Sequence, residues 1–394
     1  MPFSGLTVID VASLAAAPQI AAFFGDFGAR VIKVEPPGGD ALRRIIEADG
    51  AALSWKIVNR NKECVTLDLG RPRGRALLDR MLARADLLVC GHTAARLRRF
   101  ALEPETLRER FPRLVSVNLT AYGTDGPWAD RPGSGTLAEA TAGLAALTGP
   151  EDAPPGLSPV GLGDWLGIQQ GIIAALLGLY ARDASGRAAG EALDVAMFEP
   201  ILALLSNRIV AAERSGADPG RHGNRFPTMA PRNAYRTADD RWVALTAGTD
   251  DLVRRTFALM GRPELMSDAR FATNRARVEN AGELDRLIGA WIGARSSAEV
   301  VAAFADARIS LAAVDGPLDV LRNPHFEARA AFARVDDPEI GTVRTIAPGP
   351  RRAAEPGVIR HLGRPVGADN AAVYGDWLGL SRDEIASLTG DGLV

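Results

Sequence analysis

Short runs of β-branched and aliphatic residues alternate with amphipathic stretches through the first third of the chain. Thr7 to Ala12 (TVIDVA) reads as a strand, Pro18 opens a helix through Phe27, and Arg30 to Glu35 (RVIKVE) reads as a second strand. The alternation continues with strand Cys64 to Leu69, helix Pro72 to Ala83, strand Asp86 to Cys90, helical stretches up to Phe111 and strand Leu114 to Thr120. Strands separated by helices predict a mostly parallel sheet covered on both faces. Further on, the spacing predicts helices over Thr136 to Leu147 and Trp165 to Arg182, strand Glu191 to Ala196 and helix Phe198 to Ala212. The Gly-, Arg- and Pro-rich segment Ser215 to Arg232 reads as a linker.

A second lobe follows from Ala234 to about residue 330. It has strand Arg241 to Ala247, helices near 250–260, 281–294 and 297–307, and strand Ile309 to Asp315. The tail has a strand-like Gly341 to Ile346 and a last helix announced by the capping box Ser381-Arg-Asp-Glu384. The expected organisation is therefore residues 1–214 as the N-terminal part of a large domain, 215–233 as linker, 234–330 as a smaller α+β domain and 331–394 as a returning C-terminal segment.

Composition narrows the function. The 394 residues carry 46 Lys and Arg against 48 Asp and Glu, and only Lys33, Lys56 and Lys62 are lysine. Positive charge dispersed among nearly equal numbers of carboxylates argues against a nucleic-acid-binding surface. Cys64 and Cys90 make no disulfide framework and no CxxC pair, so no metal site is expected and a reducing cytoplasm is the expected location. No basic leader precedes an apolar run, and the longest apolar stretch, Ile172 to Ala181, is shorter than a bilayer span, so no membrane partner is expected.

The first strand-to-helix turn, Val11-Ala-Ser-Leu-Ala-Ala-Ala-Pro18, has no GxGxxG, which weakens a nicotinamide or flavin reading. GxxxxGK[ST], HExxH and GxSxG are also missing. Asp164, just before Trp165-Leu166, reads on its own as a helix N-cap, since a carboxylate there accepts an orphan amide. Gly161, Gly163 and Gly167 around it permit close backbone approach.

Taken in order, several segments resemble family III CoA-transferases. They include Gly5 to Asp10, Phe27-Gly-Ala-Arg-Val-Ile-Lys-Val-Glu-Pro-Pro37 with Gly39-Asp40 and Arg43, Asn59 to Lys62, Tyr122 to Pro127, Arg131-Pro-Gly133 and Gly163-Asp164. Downstream, Val195 to Glu199, Gly223-Asn-Arg225, Tyr235 to Asp239, Asp268 to Phe271 with Arg277, and Pro324-His325 continue the match. The resemblance implies an open, Rossmann-like large domain with a smaller α+β domain and two subunits interlocked as a homodimer. It implies acyl-CoA and carboxylic acid substrates, with no separate cofactor. It also implies that Asp164 attacks the thioester, forming a mixed anhydride and then an enzyme-bound CoA thioester. Placed against CoA by the same match are Leu67, Gly91, His92 and Arg99, with Arg43 and Lys62 as candidates for its phosphates.

The chain also departs from the pattern. Ala15 stands where many relatives have glutamine, Gly91-His92-Thr93-Ala94-Ala95 replaces Asn-Phe-x-Pro-Gly, and Gly135 stands where relatives often have an acidic residue. The fold also hosts α-methylacyl-CoA racemases, whose second base would fall at Ser134 and is no histidine here. A CoA-binding protein without turnover and an intramolecular CoA-transferase are the other readings.

Overall fold

The computed structural model describes residues 1–184 and 189–394. They divide into two compact units: Met1–Leu144 with Leu157–Val210 and Glu327–Val394, and Ala145–Gly156 with Ala211–Phe326. Segments 145–156 and 215–233, which the sequence pattern assigned to the large domain and to a linker, both lie within the second unit.

The first unit is built on six strands: β1 (Thr7–Asp10), β2 (Arg30–Glu35), β3 (Lys62–Thr66), β4 (Leu87–Cys90), β5 (Val115–Thr120) and β6 (Ala192–Ala196). All neighbours are parallel and the order is β3-β2-β1-β4-β5-β6. The order reverses between β1 and β4, so the loops leaving the carboxyl ends of these two strands diverge and leave a crevice, the usual ligand position in open α/β sheets. The strands other than the edge strand β6 are mostly buried, as a two-faced parallel sheet requires.

Six helices of this unit bear on the site: α1 (Ala16–Asp26), α2 (Pro72–Leu82), α3 (Ala94–Phe100), α4 (Gly135–Thr141), α5 (Leu162–Ala184) and α6 (Phe198–Leu204). The stretch expected as one helix over Thr136 to Leu147 is interrupted at Gly143, whose φ of +91° is outside helical space. The long helix α5 starts three residues before the expected Trp165. It lies close on the sheet through a ridge of glycines. A Cβ at Gly167 would sit 3.0 Å from Leu119, and one at Gly178 would sit 2.7 Å from Val115. Its amino end therefore lies by the late residues of β5 and its carboxyl end by the early ones. Asp164 is thereby placed at the carboxyl edge of the sheet.

By length and composition α5 could cross a membrane, and half of its most apolar window is buried against the rest of the unit. Its other face leaves Ile173, Leu177 and Tyr180 exposed.

The C-terminal segment forms the antiparallel hairpin β10 (Phe332–Asp337) and β11 (Gly341–Ile346), so called after the three strands of the second unit below. It then packs onto the sheet. Tyr374 Oη donates to the Thr66 carbonyl at 2.6 Å, and Leu388, Leu393 and Val394 join the core around Ile9 and Leu88. The Ser381–Glu384 capping box forms as expected, with both reciprocal bonds present.

The second unit carries an antiparallel sheet, β7 (Arg232–Arg236), β8 (Trp242–Thr246) and β9 (Leu311–Ala313), and a core of Val243, Leu245, Phe257, Phe271, Leu284, Ile292 and Phe304. Arg277 is wholly buried there, donating to the carbonyls of Ala230 and Phe271 and to Asp250. It is a structural tie within this unit.

Candidate active site

A buried ionic network supports the loops at the carboxyl ends of β1 to β3. Lys62 Nζ donates to Asp10 Oδ2 at 2.9 Å, to the Pro18 carbonyl at 2.7 Å and to Asn59 Oδ1 at 3.0 Å. Burial holds its pKa down at about 8, opposed chiefly by the charge of Asp10. Lys33 bonds the Ala12 carbonyl and lies 3.5 Å from Asp40, whose carboxylate in turn accepts from the amides of Leu14 and Leu42. Arg43 is paired with Glu35 through two 2.7 Å bonds and lies 3.6 Å over the Trp55 ring.

These placements correct the expectation for Lys62 and Arg43 as phosphate ligands. Lys62 has no exposed surface and all its donors are used, and the guanidinium fork of Arg43 is committed to a carboxylate. Lys62 holds the β1–α1 loop, in which Leu14 adopts a φ of +63°, and Arg43 ties down Glu35 at the end of β2. Ala15 precedes α1 and packs beside Leu42 and Trp55, outside the cleft lining.

At the switch between β1 and β4 opens a cleft of about 240 Å³. Leu67, His92 and Arg99, all expected from the sequence, line it together with Val11, Ser13 and Arg96. Gly91 follows β4, just before His92, and a Cβ there would stand 3.2 Å from that of Ala17. Arg96 and Arg99, three residues apart on α3, face the same rim, and no carboxylate among the described residues pairs with either. Arg96 escaped the sequence reading, although its i, i+3 spacing from Arg99 was there to be read.

His92 is 2% exposed, stands edge-on to Phe100 and has neither ring nitrogen in a hydrogen bond of good geometry. Burial, helped by the charge of Arg96, pushes its pKa down to about 4. The ring is thus neutral at pH 7, with one donor and one acceptor for a cleft ligand. An ordinary histidine titrates near 6.5, so unfolding takes up a proton between pH 6.5 and 4. This contribution to stability is complete above about pH 6.5 and is lost as the pH falls toward 4, at most about 3 kcal/mol. A His92→Gln variant, with no proton to take up, should show a shallower loss of Tm over that pH range than the wild type. Parallel slopes in calorimetry would exclude this contribution.

Asp164 is the third residue of α5 and not its N-cap. Gly135 N–H, from the start of α4, donates to its Oδ1 at 3.1 Å. A Cβ on Gly135 would fall 2.5 Å from the Asp164 Cγ and Oδ2, and one on Gly161 would fall 2.5 Å from Oδ2. The carboxylate thus sits in a cradle only glycines permit.

Opposite runs a matching bond. The Gly163 amide donates at 2.9 Å to Oε1 of Glu139, a residue of α4 that is 2% exposed and was not singled out in the sequence. This bond satisfies an orphan amide of the first turn, so α5 starts at Leu162 despite its glycines. Burial raises the Asp164 pKa. The Gly135 bond opposes that shift, and the charge of Glu139 reinforces it. Asp164 is therefore a half-buried, weakly solvated carboxylate with no cation paired to it among the described residues, a setting in which a carboxylate is poorly stabilised as an anion.

A doubly wound sheet with a cleft at its switch point, lined by Arg96 and Arg99 together with Glu35 and Asp68, and a half-buried carboxylate at the same edge has the layout of an α/β enzyme that binds its ligand at the carboxyl ends of its strands. The profile of CoA-transferase family III matches residues 3–370, and the chain belongs to that family. The chain is 34% identical over 390 residues to succinyl-CoA–D-citramalate CoA-transferase of Chloroflexus aurantiacus, covering 98% of this chain and 96% of that one. It is 33% identical to the succinyl-CoA–L-malate CoA-transferase beta subunit of the same organism, over 98% and 97% of the two chains. Among solved structures, a CaiB/BaiF family protein from Brucella suis superimposes with a TM-score of 0.82 at 28% identity, covering 95% of this chain and 99% of that one. The protein is an enzyme of the CoA-transferase class, acting on acyl-CoA and carboxylic acids.

Proposed function

We propose that the protein moves CoA from an acyl-CoA donor to a carboxylic acid acceptor through covalent intermediates on Asp164. The observation that carries this is the Asp164 carboxylate, cradled by Gly135 and Gly161 at the carboxyl edge of the sheet. Asp164 attacks the thioester carbonyl, the C–S bond breaks with its electron pair on sulfur, and a mixed anhydride forms. The thiolate then attacks the aspartyl carbonyl and releases the donor acid as carboxylate, leaving an aspartyl-CoA thioester. The acceptor carboxylate attacks that thioester, the thiolate leaves, and its return to the acceptor acyl carbon frees Asp164. Each step takes in one anion and releases one, so no proton or oxidant is consumed.

The CoA moiety is assigned to the cleft, with its phosphates toward Arg96 and Arg99 and its polar edge toward His92. Arg96→Gln and Arg99→Gln should each raise KM for the thioester roughly 5- to 10-fold with kcat nearly unchanged, because the phosphates are held equally in ground and transition states. A fall in kcat at constant KM, in steady-state kinetics, would move these arginines out of the binding role. Dicarboxylic acids of four or five carbons, of the class named for the relatives, are the first acids to assay as donors and acceptors. A homodimer is the proposed assembly, supported by the exposed row Ile173, Leu177 and Tyr180 along α5, at helical spacing.

The test is to incubate the protein with a series of acyl-CoAs, trap with hydroxylamine or borohydride, and map the modified peptide by mass spectrometry. Modification at Asp164 supports the reading and identifies the donor. No adduct with any thioester, in the presence of CoA binding, overturns it.

A further inference from the structure

We infer that Glu139 is a positioning residue for the covalent step, its buried carboxylate both holding the first turn of α5 and setting a negative charge against Asp164. This rests on the reading of Asp164 as nucleophile and adds a control of its intermediates. The two helices exchange bonds: the amide of Gly135 on α4 donates to the carboxylate of Asp164, and the amide of Gly163 on α5 donates to that of Glu139. Gly135 and Glu139 are four residues apart, so one turn of α4 presents both halves of the exchange.

Holding the Gly163 amide requires only an acceptor, which a neutral glutamine would supply without the cost of burying a charge. A carboxylate that is 2% exposed, with no cation bonded to it among the described residues, is the more costly choice, and its effect falls on Asp164. In the anhydride and in the CoA thioester the Asp164 side chain is neutral; in the free enzyme it is an anion. A second negative charge close by destabilises the anion and leaves the acylated forms nearly untouched, so the equilibrium moves toward the covalent intermediates.

Other charged groups on the elements packed against α5 are engaged elsewhere or stand apart. Asp26 of α1 is held by Arg60 and Asn61, and Asp194 of β6 accepts from the Thr124 amide. Glu199 lies in the first turn of α6, β5 has no titratable side chain, and Arg182 and Asp183 pair at the far end of α5.

The test uses the full chain with succinyl-CoA as probe. Intact-protein mass spectrometry after acid quench reads the fraction of Asp164 carrying CoA as a function of pH, in wild type, Glu139→Gln and Glu139→Asp. Glu139→Gln, which keeps the acceptor and removes the charge, should lower the adduct fraction roughly 10-fold and move the acid limb of adduct formation to lower pH. Glu139→Asp, which keeps the charge and draws back from the Gly163 amide, should stay within about twofold of wild type. An adduct in wild type with an unchanged limb and fraction in Glu139→Gln overturns the inference and leaves the nucleophile in place. Equal losses in the Gln and Asp variants overturn it too, since geometry alone would then matter, and the Asp arm also decides the matter should the Gln variant fail to fold. No adduct in wild type with any thioester is the different result that removes the nucleophile reading itself.

Discussion

Asp164→Asn should abolish both the trapped adduct and CoA transfer, lowering kcat by roughly 1,000-fold or more while leaving acyl-CoA binding within a fewfold of wild type. The amide is isosteric, its Oδ1 can still accept from the Gly135 amide at the start of α4, and nothing else in the cradle has to move. What is lost is the charge and with it the nucleophile, so the effect should appear in kcat and hardly in stability. A carboxamide cannot form the anhydride, and neutral Asn is better suited to this half-buried, weakly solvated position than the anion. The expected profile is an inactive protein of equal or slightly higher Tm. Residual transfer at a tenth of the wild-type rate would mean that the acceptor attacks the bound thioester without covalent help from Asp164.

The parallel sheet was legible because it depends on local pattern. The run RVIKVE, with Val31, Ile32 and Val34 among its charged residues, reads as a strand, and β2 follows it residue for residue. The carboxyl edge of that sheet came with it, whereas Leu67, His92 and Arg99 were placed by the family resemblance and not by the pattern. What pattern could not give was the partner of each polar side chain. Lys62 and Arg43 look like phosphate ligands in one dimension and are buried ties in three, because Asp10 and Glu35, 52 and 8 residues away, reach them only once the sheet has formed.

The same holds at Asp164. Its N-cap reading failed because a side chain 25 residues earlier, Glu139, takes the amide that would otherwise end the helix at that point. The acidic position that relatives often fill near Arg131-Pro-Gly133 is glycine here, at Gly135, and looked like a simple loss. The fold brings a different carboxylate, Glu139, one turn further along the same helix to α5, which could be seen only by knowing which face of α4 meets α5.

Gly135→Ala should also damage activity severely, though less than loss of the nucleophile and for the opposite reason. The added methyl would lie 2.5 Å from the Asp164 Cγ and Oδ2 and closer still to its backbone nitrogen. A flexible tip could swing away, but the backbone of the first turn of α5 is fixed by the Glu139 bond to Gly163 and by the close packing of Gly167 on Leu119. Either α4 must back away, breaking the Gly135–Asp164 bond, or the carboxylate must rotate out of its cradle. Overpacking of this kind costs about 1–3 kcal/mol, and a displacement of about 1 Å at a reacting group costs roughly 100-fold in rate. Thermal unfolding should therefore show a lower Tm for Gly135→Ala, and steady-state kinetics a kcat down by roughly 100-fold with acyl-CoA binding largely preserved, because the cleft residues Leu67, His92, Arg96 and Arg99 are on other elements. Unchanged stability together with unchanged kcat would show that α4 and α5 can part without consequence, and the glycine cradle would then have no part in holding the nucleophile.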